Sequence, residues 1–130
     1  VAVGVIKEVK IFGDNYETQD GTGVRDYIHV VDLANAHTQA ISKINKLKGA
    51  NIFNIGTGIG YSVLELINAY ESVSGQKIPY KIENRREGDI GTCFSDPSKA
   101  NSILDWQSKK TLVDMCKDSW NWQSKNPHGY

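Results

Sequence analysis

Long apolar runs are missing from this chain: no stretch of about 18 hydrophobic residues could carry it across a membrane. Cysteine is scarce. Cys93 and Cys116 form no CxxC pair and imply no disulfide framework. His29, His37 and His128 never stand at metal-ligand spacing from one another or from a cysteine, which argues against zinc. Excess charge is absent as well, since 15 basic residues balance 15 acidic ones. A neutral chain has no global field to draw DNA, RNA or an anionic membrane, so any anion must be gripped by locally placed arginines. With neither a signal peptide nor a lipidation motif, a cytoplasmic protein is expected.

What is present reads as one α/β domain. The 130 residues fit a single domain by length, and the apolar share of 39% lies below the usual range yet well above disordered composition. Val9–Phe12 is strand-like, and a polar, glycine-punctuated loop over residues 13–24 follows it. A loop of that length in a compact domain is functional or disordered. Leu33, Ala36, Ala40, Ile41, Ile44 and Leu47 recur at helical spacing, with Asp32 as the N-cap and Gly49 as the stop. Residues 51–55 (NIFNI) predict a strand. Ser62-Val63-Leu64-Glu65 is a capping box that opens a helix ending at Gly75. Residues 79–82 are strand-like again, and Asp96-Pro97 predicts an N-cap with proline at the first helical position. A second capping box, Thr111 to Asp114, opens the last helix. Strands alternating with helices give the α/β class.

The turn Gly56-Thr57-Gly58-Ile59-Gly60 joins a strand to a helix, the layout that places phosphates over a helix N-terminus. Its spacing is GxGxG, and Tyr61 stands where the dinucleotide fingerprint needs its last glycine. A tight turn without cofactor is the better reading. Arg25 and the run Arg85-Arg86-Glu87-Gly88-Asp89 leave two readings open. The arginines could converge on a pyrophosphate, with Asp89 on a ribose and Phe12 against a base, or the run could be a solvated charged turn. No tyrosine has a lysine four residues on, and nothing places a Ser-His-Asp or Cys-His set, so no catalytic group is assigned. His29, among Tyr27, Ile28 and Val30, reads as a packed structural residue. The tryptophans read as anchors for the last helix.

Ile11-Phe12-Gly13, the run from Asp20 to Val30 (DGTGVRDYIHV), Asn54-Ile55-Gly56-Thr57-Gly58, Arg85 to Asp89 and the ending Trp120 to Tyr130 resemble the UDP-glucose (UDP-galactose) 4-epimerase branch of the extended short-chain dehydrogenase/reductase family. The likeness covers the whole chain. It implies the carboxy-terminal portion of such an enzyme: a small substrate-binding lobe plus the last strand and helices of a Rossmann sheet. Residues of about 31–57 and 111–124 would pack with a missing Rossmann half. That half would bind NAD and carry the Tyr-x-x-x-Lys pair, so neither cofactor-binding nor catalytic residues are expected in this chain. Family members shuttle hydride between C4 of the sugar and NAD through a 4-keto intermediate.

The resemblance also implies substrate-binding roles. Arg25 and Arg86 would hold the pyrophosphate, Asp89 the ribose, and Lys10, Ile11 and Phe12 the uracil, with Val63 against the uridine. Glu87 and Gly88 complete that set. Cys93, four residues past Asp89, would face the sugar. Implied partners are UDP-glucose, UDP-galactose and, through the small Cys93, UDP-N-acetylhexosamines, with a homodimer when full-length. The alternatives are another UDP-sugar member of the family (dehydratase, decarboxylase or hexuronate epimerase) and a stand-alone UDP-sugar-binding module.

Overall fold

The computed structural model describes residues 1–129; Tyr130, the last residue of the terminal motif, lies outside the described residues. The chain runs β1 (Val9–Phe12), β2 (Val24–Arg25), α1 (Val30–Lys43), a 3-10 turn at Ile44–Lys46, β3 (Tyr61–Ser62) and α2 (Val63–Ser74). It continues through β4 (Tyr80–Glu83), β5 (Thr92–Cys93), α3 (Ser98–Leu104) and α4 (Leu112–Gln123). Two small sheets result. β1 pairs in parallel with β4, Val9 with Tyr80 through Phe12 with Glu83. β2 lies between antiparallel β3 and parallel β5, so Arg25 pairs with Tyr61 on one side and Cys93 on the other.

Helices form where local chemistry dictates. At α2 the Ser62 hydroxyl accepts from the Glu65 amide, and the Glu65 carboxylate accepts from the Ser62 amide. Gly75 closes the helix at φ 66°, a left-handed conformation that costs glycine least. The Thr111 and Asp114 box opens α4 in the same way. Such caps satisfy amides that would otherwise lack partners.

Several boundaries differ from expectation, and at Asp32 the reason is a distant partner. α1 starts at Val30 and is capped by His29, whose Nδ1 accepts from the Val31 amide at 3.0 Å. Asp32 is instead buried inside the first turn, and its carboxylate accepts the Lys109 and Lys110 amides at 3.0 and 2.8 Å. The helix gives way to the 3-10 turn before reaching Gly49. Pro97 is the cap of α3 rather than its first residue, and Asp96 accepts from the Ser98 amide at 2.9 Å. The expected strand at 51–55 is not a strand: it has no ladder partner among the described residues, and an extended segment alone cannot satisfy its backbone. Phe53 and Ile55 still pack inward.

Two apolar clusters hold the fold. Ala36, Ala100, Leu104 and Trp106 join α1 to α3, with Phe53 and Ile55 against them. Trp106 thus anchors this cluster rather than the last helix, its Nε1 donating to the Asp32 carbonyl at 3.0 Å. Ile11, Ile67 and Ile78 join β1 and α2 to the segment entering β4. α4 lies against α2, where Trp120 meets Tyr70 edge-on at 6.5 Å. Val30, Ile41, Ile44 and Ile52 are 71, 69, 63 and 81% exposed, apolar side chains left uncovered among the described residues. No helix among the described residues is long and apolar enough to cross a membrane.

Candidate functional site

The end of β1, the end of β2, the N-terminus of α2 and the turn after β4 converge on one cleft of about 290 Å³. Lys10, Ile11, Phe12, Arg25, Val63, Arg86 and Asp89 line it, so seven of the ten candidate residues meet in one place. Glu87 and Gly88 form the turn between Arg86 and Asp89, outside the lining; Gly88 makes that turn at φ 82°. Cys93 is exposed on β5 beside Arg25 and is likewise outside the lining. Ile11 is 1% exposed and belongs to the core beneath the cleft floor.

Tyr16, Gly23 and Tyr27 complete the cleft wall and were not among the candidates. Tyr27 was within reach of sequence reasoning. It follows Arg25 by two residues in extended chain, and that spacing puts two side chains on one face. Burial pushes the Tyr27 hydroxyl upward in pKa, against the opposing pull of Arg25. Tyr16 carried no such signal, because the loop that holds it has no periodicity.

The two guanidiniums are held in different ways. Arg25 Nη1 donates to the Val24 carbonyl at 2.7 Å and reaches the Gly91 carbonyl at 3.4 Å. Its Nε and Nη2 have no protein partner among the described residues. Arg86 Nε donates to Asp89 Oδ2 at 2.9 Å, and its guanidinium carbon stands 4.6 Å from the Phe12 ring centroid. An exposed ion pair of this kind adds little stability. It does aim the remaining donors of Arg86, and the second oxygen of Asp89, toward the cleft. Two guanidinium forks, one carboxylate and one flat ring can take a doubly charged phosphate pair, a diol and an aromatic base.

The segments that carry these groups are pinned by two hydrogen-bonded carboxylates, one exposed (Asp20) and one half-buried (Asp26). Asp20 Oδ1 accepts the Thr22 amide and hydroxyl at 2.9 and 2.7 Å, and its other oxygen accepts from the Ser62 hydroxyl. That ties the glycine-rich loop to the start of α2. Asp26 accepts the Thr57 amide and hydroxyl at 2.9 and 2.6 Å, the Gly58 amide at 3.0 Å, and the Ser95 hydroxyl at 2.6 Å. Burial pushes both carboxyls up, and the hydrogen bonds outweigh it, leaving both below the usual aspartate value.

The Gly56–Gly60 turn therefore spends the Thr57 and Gly58 amides on Asp26 instead of presenting them to a phosphate. A Cβ at Gly56 would run into the Ser95 hydroxyl and the Asp26 carboxylate. This turn does not fit a dinucleotide. His29 is 5% exposed, with Nε2 3.0 Å from Asp118 Oδ2, and it sits away from the cleft lining. No three His, Cys, Asp or Glu side chains among the described residues gather as metal ligands.

Comparison with known proteins agrees with this geometry. A family model described as GDP-mannose 4,6 dehydratase matches residues 1–119. A Bacillus subtilis protein named UDP-glucose 4-epimerase is 55% identical over all 130 residues, which span 38% of its length. The crystal structure of UDP-glucose 4-epimerase from Bifidobacterium longum in complex with NAD+ and UDP superposes with a TM-score of 0.94 at 55% identity, covering 99% of this chain and 38% of that one. A UDP-Glc/GlcNAc 4-epimerase from Campylobacter jejuni is 40% identical with a TM-score of 0.84, covering 95% of this chain and 38% of that one.

Proposed function

This chain belongs to the GDP-mannose 4,6-dehydratase family, and from that premise we propose that it is the UDP-sugar-binding carboxy-terminal portion of an NAD-dependent UDP-glucose 4-epimerase. The observation that carries the reading is the cleft where Arg25 and Arg86, from distant segments, flank Asp89 and Phe12. The arginines take the pyrophosphate, Asp89 takes the ribose, and Phe12 with Lys10, Ile11 and Val63 lines the uracil side. Glu87 and Gly88 shape the turn that presents Arg86 and Asp89.

A cleft of about 290 Å³ is at the small end of ligand sites, which run from roughly 300 to 1,000 Å³. It holds a nucleotide and leaves the sugar projecting beyond it. The rest of the site then comes from polypeptide outside this chain, as does the NAD site, since the Gly56–Gly60 turn does not fit a dinucleotide. When bound there, NAD accepts and returns hydride at C4 of the sugar. Within this chain the work is binding and orientation. The exposed apolar face of Val30, Ile41, Ile44 and Ile52 supports packing of residues 31–57 against that missing half, with 111–124 beside it. The full-length enzyme acts in the cytoplasm as a homodimer on UDP-glucose and UDP-galactose. The 40% identity to a UDP-Glc/GlcNAc 4-epimerase, together with the small Cys93, extends the range to UDP-N-acetylhexosamines.

The test is UDP affinity and conversion of UDP-galactose to UDP-glucose by the full-length enzyme, with Arg86→Ala beside it. Losing a charged contact costs ~1.5–3 kcal/mol, so UDP should bind roughly ten- to a hundredfold more weakly in the variant. Unchanged binding would return residues 85–89 to a solvated turn. Absence of epimerisation with UDP binding intact would leave a UDP-sugar enzyme of another kind.

A further inference from the structure

Arg85 and Arg86 are consecutive, and each guanidinium lies over a different aromatic ring. Arg86 covers Phe12 in the cleft, whereas Arg85 stands 3.9 Å from the ring centroid of Tyr16 in the loop after β1. Arg85 also grips that loop with a fork: Nε donates to Asn15 Oδ1 at 2.7 Å, and Nη2 donates to the Asn15 carbonyl. Tyr16 is 8% exposed and wedged between two glycines. A Cβ at Gly13 would stand 2.7 Å from both Tyr16 Cε2 and Arg85 Cγ, and one at Gly91 would stand 3.3 Å from Tyr16 Cβ. The contact thus joins the loop at Gly13–Tyr16 to both ends of the 85–91 segment. Gly91 in turn receives the Val24 amide at 2.7 Å, next to Arg25.

We propose that Arg85 and Tyr16 are positioning residues of the nucleotide site, a clamp that sets Arg86 and Asp89 against Phe12 and in register with Arg25. The proposal rests on the nucleotide reading of the cleft. Arg85 is not in the cleft lining, so it acts through its neighbours. The loop and the 85–91 segment have few other ties: the Gly13 amide on the Glu83 carbonyl at 2.9 Å is the backbone bond that holds the loop's start to the end of β4. Without the clamp the turn at 86–89 keeps its internal Arg86–Asp89 pair but loses its fixed distance from Phe12. Ligand binding must then order it, which weakens affinity with no contact removed.

The experiment measures UDP affinity by calorimetry in the full-length enzyme for Arg85→Ala, Arg85→Lys, Arg86→Ala and the Arg85→Ala/Arg86→Ala pair, with KM and kcat alongside. Arg85→Ala and Arg85→Lys should each weaken UDP about tenfold, because a lysine point charge cannot fork onto Asn15. KM should rise while kcat holds, the mark of binding lost equally from ground and transition states. The double variant should bind only slightly more weakly than Arg86→Ala, since Arg85 works through Arg86. Affinity retained by Arg85→Lys but lost by Arg85→Ala would make the effect one of charge and overturn the proposal. Fully multiplicative losses, or Arg85→Ala binding as tightly as wild type, would also overturn it. Should Arg85→Ala fail to fold, the Arg85→Lys arm decides alone. Undiminished binding in Arg86→Ala would defeat the nucleotide reading itself, a result distinct from the others.

Discussion

The carboxylate of Asp26 holds Thr57 twice, by the backbone amide at 2.9 Å and by the hydroxyl at 2.6 Å. This contact turns a glycine-rich segment with phosphate-loop looks into a structural joint. The same carboxylate takes the Gly58 amide and the Ser95 hydroxyl, so β2, the turn and the segment after β5 share one acceptor.

Asp26→Asn should destabilise the full-length enzyme by about 2–4 kcal/mol, because its amide would face donors with a donor. Acid dependence follows from the depressed folded pKa. The native carboxyl titrates below its ordinary value of 3.8, so its stabilisation is complete above that value and lost as pH falls through the folded pKa. Urea unfolding at neutral and acid pH checks this. The wild type should weaken below about pH 4, and the Asn variant should start lower and fall less steeply.

Gly56→Ala should be as damaging as loss of the carboxylate, since the added methyl would collide with the Ser95 hydroxyl and the Asp26 carboxylate. A cost of about 2 kcal/mol or more is expected, read as a lowered melting temperature. An unchanged melting temperature would mean that the turn can open without consequence. Gly49→Ala, where a Cβ meets nothing, is the contrast: its loss comes only from the left-handed φ of 66°.

Cys93 pairs with Arg25 across β2 and β5 and is exposed. If it faces the projecting sugar in the full-length enzyme, Cys93→Tyr should lower turnover of UDP-N-acetylglucosamine and UDP-N-acetylgalactosamine and spare the plain hexoses. Overfilling a rigid pocket costs roughly 1–3 kcal/mol, enough for about a tenfold to hundredfold bias. Equal loss on both substrate pairs would show that the position does not discriminate.

The 130-residue chain expressed alone should self-associate and retain no NAD. Ile41, Ile44 and Ile52 are left exposed among the described residues, and exposed apolar surface pairs or aggregates. Sedimentation velocity and nucleotide release on denaturation test both halves of this. A sharp monomer, or near-stoichiometric NAD, would contradict the expected division of labour.

Sequence alone determined what lies within one turn of chain. The Ser62–Glu65 and Thr111–Asp114 boxes and the Gly75 stop are interactions over three or four residues, so residue order suffices to specify them. The resemblance supplied ten candidate binding residues, and seven of them line one cleft. Tertiary structure decided everything settled by competition between distant groups. Asp32 left its helix amides for those of Lys109 and Lys110, 77 and 78 residues away, because a buried carboxylate takes the donors that the fold supplies. The Thr57 and Gly58 amides went to Asp26, 31 and 32 residues distant. Residues 51–55 stayed without a ladder for want of a partner strand. Which of two adjacent arginines enters the cleft depended on where Phe12 and Tyr16 came to rest. Residue order cannot specify such choices, since each is made by a partner that only the folded chain brings to 2.7 Å (Asn15 on Arg85), 3.9 Å (Tyr16 on Arg85) or 4.6 Å (Phe12 on Arg86).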